Sequence, residues 1–202
     1  MSQARILTDK EYRRVLLHLA KKSHHARNKC LVFMSHLAGM RCGEIASVTI
    51  KDVLADDGTI KDEMFLRPEQ TKGSRGRTVL IAEKLRSELQ EYLTVRFGLK
   101  ADALAALHYT DTSRALFYSQ KSQRGGFSAN SLSQWFGRIY RETGISGASS
   151  HSGRRFFATH LSENAVNPKI IQNLLGHRHV QTTLLYVQVS PSSMRKAVEL
   201  LS

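Results

Sequence analysis

Tyr186 stands nine residues after His177 in the stretch LGHRHVQTTLLYV, and the tetrad His151-Ser152-Gly153-Arg154 lies upstream of both. A third element, AGMRCGE, carries Arg41 far away in the chain. Together these supply one phenol, two guanidiniums and two imidazoles, an inventory suited to attack on a phosphodiester by a side-chain oxygen without a metal. That chemistry has three needs: an aimed nucleophile, donors for the charge on the pentacoordinate phosphorane, and a proton for the leaving oxygen. Arg41 and Arg154 suit the second need, because a guanidinium offers a rigid donor fork to phosphate oxygens. His177 adds a further donor, and Tyr186 is the candidate nucleophile. Lys72, in the glycine-rich TKGSRG turn, can supply the proton.

Each of these residues has a plainer explanation. A lone arginine is usually a surface charge, a lysine in a turn is usually solvated, and a tyrosine is most often a half-buried core aromatic. Arg41 is less ordinary, since it follows Gly39 at the end of an apolar segment where few charges sit unpaired. Glu44, three residues on, can pair with Arg41 and orient it, or can be a simple surface ion pair. His151 and Arg154 are three apart and should share a helical face. His177 and His179 lack a cysteine or carboxylate cluster at ligand spacing, so no metal site is expected. His24-His25 reads as an exposed polar pair between helices.

The elements that must hold these groups are mostly helical. Thr8 to Glu11 reads as a capping box, followed by Tyr12, Val15, Leu16 and Leu19 at helical spacing. A nearly all-apolar helix is expected over 26–38 and should be buried, with a short helix from Glu44 to Val48. Asp56-Asp57-Gly58 marks a turn, and strands are expected at 59–66 and 76–81, forming a small antiparallel sheet within 50–82. Further helices are expected over 83–97, on the Leu132/Trp135/Phe136/Ile139/Tyr140 stripe closed by Gly144, and over 151–164, 168–175 and 180–187. The segment 98–114 suggests a loop with a short helix, ALFYS at 115–119 an extended piece, and 190–202 a last short helix. The fold class is therefore α+β, mainly α-helical, with a small antiparallel β-sheet, and residues 1–202 read as a single domain.

With 202 residues and 41% hydrophobic content, the chain can fill a core of its own. Its formal net charge of +13 is spread along the whole length, not gathered in a tail. Distributed Lys and Arg favour a folded surface built around a polyanion, because phosphates reward such contacts by counterion release. Nucleic acid is the expected partner, favoured over membrane because no stretch is a strong basic amphipathic anchor. Two cysteines, no apolar run of membrane-spanning length and no signal-peptide core fit a reducing cytoplasm.

Four blocks in order, AGMRCGE (38–44), TKGSRGRTVLI (71–81), HSGRRFFATHL (151–161) and LLGHRHVQTTLLYV (174–187), give the chain a specific likeness. It resembles the catalytic domain of the tyrosine recombinases, the phage integrase family, over nearly its whole length. The resemblance implies Arg41, Lys72, His151, Arg154, His177 and Tyr186 as the catalytic set, with Tyr186 the nucleophile and Glu44 in support. Arg75, Arg77, Arg155 and Arg178 are the candidate DNA contacts, and no cofactor is implied. Two departures stand out. The block around Arg154 usually carries a leucine before the arginine and a histidine after it, where this chain has Gly153 and Arg155. The N-terminal helical core-binding domain of most members is expected to be absent. The chain is similar in length to the inverting recombinases of fimbrial phase switches, and a natural short recombinase is favoured over an excised domain.

What the likeness implies is site-specific DNA integration, excision or inversion in mobile genetic elements, through a 3′-phosphotyrosyl intermediate. A homotetramer on double-stranded DNA is expected, docked through 190–202, with an accessory DNA-bending protein as a further candidate partner. A type IB topoisomerase-like nicking-closing enzyme is the nearest alternative, and a non-catalytic DNA-binding regulator the more distant one.

Overall fold

Thr8 opens the first helix. Its hydroxyl accepts from the Glu11 backbone at 3.3 Å while the Glu11 carboxylate accepts from the Thr8 backbone at 2.9 Å, satisfying two donors that a helix start leaves over. A computed structural model describes residues 4–71, 75–109, 113–120, 125–186, 194–195 and 198–199. Helix α1 (Asp9–Ala20) buries Tyr12, Val15 and Leu19, with Leu16 at the rim of the same stripe. Helix α2 (His25–His36) has no solvent face to speak of: nearly every residue from Ala26 to His36 is buried. Such a helix must be wrapped on several sides, and α1, α5 (Glu83–Phe97) and α7 (Ser152–Glu163) supply the wrapping.

After α2, the chain makes two short helices, α3 (Cys42–Ser47) and α4 (Ile50–Val53), and then the sheet. Strands β1 (Glu63–Leu66) and β2 (Arg77–Leu80) pair antiparallel with Met64 opposite Val79. Met64, Leu66, Arg77 and Val79 point inward, and Phe65 and Leu80 outward. The two expected strands form and pair antiparallel, but they are shorter than 59–66 and 76–81. Ile60 makes only an isolated bridge to Leu54, so pairing to β2 begins three residues later.

Helix α6 (Ala129–Glu142) lays Leu132, Trp135, Phe136, Ile139 and Tyr140 into the main core. The segment 98–114 contains a 3₁₀ stretch over Ala101–Tyr109, and ALFYS is extended, with Ala115 bridging Thr49 and Tyr118 bridging Gly126. Helices α8 (Pro168–Leu175) and α9 (Val180–Leu184) follow, beside a second, smaller apolar cluster of Ala158, Ile171 and Leu175. Tyr186 packs on that cluster. The last helix is shorter than 180–187, so Tyr186 sits in the turn beyond its end, its N–H bonded to the Thr183 carbonyl at 2.9 Å. His24 is half-buried with a left-handed backbone, its ring 2.7 Å from the Tyr118 hydroxyl; only His25 is the exposed histidine expected there. Both cysteines are free. Among the described residues no helix is long and apolar enough to cross a membrane.

Candidate active site

Arg41 is the residue from which α3 starts. Its backbone N–H donates to Glu44 Oε2 at 2.8 Å and its Nη1 to Oε1 at 2.9 Å, so one carboxylate fixes both the helix start and the guanidinium. Glu44 is not a surface partner: its side chain is 1% exposed. A second arginine reaches it from the sheet, with Arg77 Nη2 donating to Oε2 at 2.8 Å and Nη1 to the Leu174 carbonyl at 2.7 Å. Burial works to raise the Glu44 pKa. The Arg77 bond and charge, the Arg41 N–H and the charge of Arg154 outweigh it, and the carboxyl is held below its ordinary value. Arg77 therefore braces the site from within, where a DNA-facing side chain was expected.

Gly176 makes room for that brace. Its φ of +63° caps α8 in the left-handed region, and a Cβ there would lie 2.5 Å from Arg77 Cδ. The turn it forms delivers His177 directly after the helix.

Arg154 is the most enclosed of the cations, at 3% exposure. Its Nη1 donates to the Gly39 carbonyl at 2.5 Å and its Nη2 to the Leu175 carbonyl at 2.6 Å. Burial, then the like charges of Arg41 and Arg77, draw its pKa down to about 9, and it remains a cation at neutral pH. Helix α7 can sit this close to α2 because Gly153 lacks a side chain: a Cβ would meet Ser35 Oγ at 2.3 Å and His36 Nδ1 at 2.6 Å. The leucine usual at this position could not enter, since His36 stacks on Tyr12 in that space.

His177 is 8% exposed and its Nδ1 lies 2.8 Å from the Thr183 hydroxyl. Burial, followed by the charges of Arg154, Arg41 and Arg77, lowers its pKa to about 4. At neutral pH it is an uncharged imidazole, able to donate through one ring nitrogen, and its contact with the Thr183 hydroxyl constrains the tautomer. The His177 ring stacks on Tyr186 at 5.7 Å between centroids, tilted by 27°. Arg155 lies over the same phenol ring at 5.6 Å.

His151 and Arg154, three residues apart, differ in burial. His151 is the exposed N-cap of α7, its backbone just outside the helix, and Arg154 turns inward. His151 instead lines a cavity of about 440 Å³ with Ser149, Arg155 and Tyr186. A second cavity of about 530 Å³ is walled by Arg41, Arg77, His177 and Arg178. Thr71 and Arg75, the described ends of the turn that contains Lys72, also line it. Lys72 itself lies outside the described residues. Arg75 and Arg178 are exposed at this rim, whereas Arg155 is half-buried and donates to the Ala4 carbonyl. Sequence reasoning missed Thr183 as the partner of His177 and Arg77 as the second holder of Glu44. The Arg77–Glu44 pairing has no local signal, since it spans 33 residues, and the His177–Thr183 pairing, six residues apart, depends on the turn between α8 and α9.

A model of the phage integrase family matches residues 5–193. Among curated relatives, tyrosine recombinase XerA of Pyrococcus furiosus is 28% identical over 194 residues, 96% of this chain and 60% of that protein. Tyrosine recombinase XerC of Corynebacterium glutamicum is 27% identical over 171 residues, 85% of this chain and 49% of that protein. Among solved structures, XerA recombinase shares the fold with a TM-score of 0.74 at 24% identity, covering 99% of this chain and 66% of that one. XerH bound to its palindromic difH substrate in a post-cleavage complex gives 0.69 at 23% identity, covering 99% and 54%. The chain thus spans between about half and two thirds of the length of these relatives.

Proposed function

The chain belongs to the phage integrase family, and on that premise we propose that it breaks and rejoins DNA at specific sites through a covalent bond to Tyr186. The observation that carries this reading is convergence. Arg41, Arg154 and the stretch that carries both His177 and Tyr186 come from three separate segments, yet Arg41 and His177 wall one cavity, the two arginines shift the titration of His177, and His177 stacks on the phenol.

In the proposed step, the Tyr186 oxygen attacks the scissile phosphorus and forms a 3′-phosphotyrosyl bond. The bond to the 5′ oxygen breaks, and that oxygen leaves with a proton from Lys72. Arg41 and Arg154 take up the phosphorane charge, with the neutral His177 as a third donor. His151, on the wall of the Tyr186 cavity, assists proton transfer by accepting the proton that the Tyr186 hydroxyl gives up as it attacks. Reversal by a 5′-hydroxyl from another strand completes an exchange and returns the tyrosine, so bond energy is conserved without a metal or a nucleotide cofactor. Relatives of this fold were solved on DNA, including XerH on difH and the Tn1549 transposon integrase on circular intermediate DNA. Duplex DNA is the proposed partner here, met by the exposed Arg75 and Arg178 beside the cavity. A tetramer on DNA is the proposed working form. Most of the 190–202 segment lies outside the described residues, but Met194 and Val198 are described and exposed, which suits docking on a neighbouring protomer. An accessory DNA-bending protein would supply further hold on the duplex.

A nicked suicide duplex tests the reading. The wild-type chain should form a covalent adduct that resists denaturation, and Tyr186→Phe should bind the same duplex and form none. An equal adduct from both would sink the assignment. Exchange between two marked duplexes, as against relaxation of a supercoil alone, separates recombination from nicking and closing.

A further inference from the structure

Arg155 replaces the histidine usual after the second catalytic arginine, and its surroundings show that it does something a solvent-facing arginine does not. It is one residue from Arg154 on α7 but leans the other way, into the cavity that holds Tyr186 and His151. Its Nη1 donates to the Ala4 carbonyl. Its Nε is buried without a hydrogen bond among the described residues, a cost that a water-facing rotamer would avoid. The guanidinium carbon lies over the Tyr186 ring, 5.6 Å from its centroid. His177 lies 5.7 Å from the same centroid. The phenol ring is thus contacted by an imidazole and by a guanidinium, and the guanidinium is anchored to the N-terminal segment.

That segment is itself tied down. Arg5 N–H donates to the Gly147 carbonyl at 3.0 Å and Arg5 Nη1 to the Ser146 carbonyl at 3.3 Å. The 146–147 turn leads straight to Ser149 and His151 on the cavity wall. Ala4, Arg155 and the turn before α7 therefore form one braced wall beside the nucleophile.

We propose that Arg155 is a positioning residue for Tyr186: it holds the phenol ring in place through a face-on cation contact, with the Ala4 carbonyl fixing the guanidinium. This rests on the reading of Tyr186 as the nucleophile. Arg155 does not touch phosphate in this role, so it acts on the cleavage step and not on DNA affinity. A guanidinium on a ring face is a modest interaction, and its loss should slow adduct formation by about fivefold. Lysine keeps the charge but has neither the flat face nor the fork, so it should restore only part of the rate.

The experiment compares Arg155→Gln and Arg155→Lys with the wild-type chain in three measurements. The first is the single-turnover rate of adduct formation on the nicked duplex with DNA saturating. The second is duplex affinity across a salt series. The third is the ring-carbon NMR signal of Tyr186 in protein labelled at its six tyrosines, assigned with Tyr186→Phe. The expected result is a slower rate, an unchanged affinity and salt slope, and a displaced or broadened Tyr186 signal with the other five in place. The order wild type, Lys, Gln should hold in both rate and signal. Unchanged rate and unchanged signal would overturn the proposal. So would a weakened affinity with a salt slope reduced by about one and an unaltered single-turnover rate, the mark of a phosphate contact. Movement of all six signals would also overturn it, by showing a general structural role. If the wild-type chain forms no adduct, the functional reading fails, and the NMR signal still decides whether Arg155 orders the ring.

Discussion

Arg77 donates to Glu44 across 33 residues of chain, and the pair is almost wholly enclosed, with side-chain exposures of 8% and 1%. The same carboxylate holds Arg41, so an acid that touches no substrate sets the position of a catalytic candidate and of its brace. Removing it leaves two guanidiniums facing each other without a counter-charge. Glu44→Ala should lose about 3–5 kcal/mol of stability, and Glu44→Gln, which keeps an acceptor, should lose less. Urea unfolding measures both, and an unchanged midpoint for Glu44→Ala would show that the arginines are independently supported.

Acid should weaken the fold through two buried histidines. His36 is drawn down to about 4 by burial and His177 to about 4 by burial and neighbouring arginines. An unfolded histidine titrates near 6.5. Between pH 6.5 and pH 4 the unfolded chain therefore binds more protons than the native one, and stability rises with pH in that window. Their contribution is complete above pH 6.5 and is lost as the pH falls to 4, by at most roughly 3 kcal/mol for each histidine. Unfolding midpoints taken across the window should fall accordingly, and His177→Asn should flatten the slope. Equal slopes in the two proteins would remove His177 from this account.

Gly153 should resist every side chain. The approach to Ser35 and His36 leaves no space for a methyl group, and Gly153→Ala should cost about 1–3 kcal/mol, with Gly153→Leu worse. Combining Gly153→Ala with Ser35→Ala removes the nearest obstructing atom and should recover part of the loss. Thermal melts of the cycle check this, and strict additivity would show that the contact does not limit packing.

Thr183 should matter to rate more than to fold. It is the hydrogen-bond partner of His177 Nδ1 and is fully buried, so Thr183→Val keeps its shape and removes the polar contact. The imidazole then loses the bond that fixes its tautomer, and adduct formation should slow roughly tenfold. Single-turnover cleavage is the measurement, and a wild-type rate would place the tautomer under other control.

Lys72 has a test that follows from its proposed proton. Lys72→Ala should slow cleavage by about 10²–10⁴-fold on ordinary DNA. A duplex with sulfur at the scissile 5′ bridging position leaves without needing protonation, and there the loss should largely vanish. An equal defect on both substrates would assign Lys72 to binding.

The helices, the short sheet and the four blocks were legible because they rest on local signals: apolar spacing, a capping box, turn residues and ordered motifs. The ends were less so. Apolar residues run on through Leu185 and Tyr186, so the helical pattern outlasts α9, which stops at Leu184. The inward turn of Arg77 was illegible for a different reason. Its two acceptors lie 33 and 97 residues away, and only tertiary placement tells a brace from a surface cation. Arg155 shares that difficulty, since its partner Ala4 is 151 residues distant. The difference in burial between His151, the exposed cap of α7, and Arg154 was likewise set by what packs on that helix and not by their spacing.

Arg154 reaches its two carbonyl partners across 115 and 21 residues of chain. The guanidinium is therefore aimed only after the end of α2, helix α7 and the end of α8 have all come together. A nascent or partly unfolded chain holds the same tyrosine and the same arginine with nothing to align them. On the proposed function, duplex bound at that stage is left uncut, and cleavage waits for the finished tertiary structure.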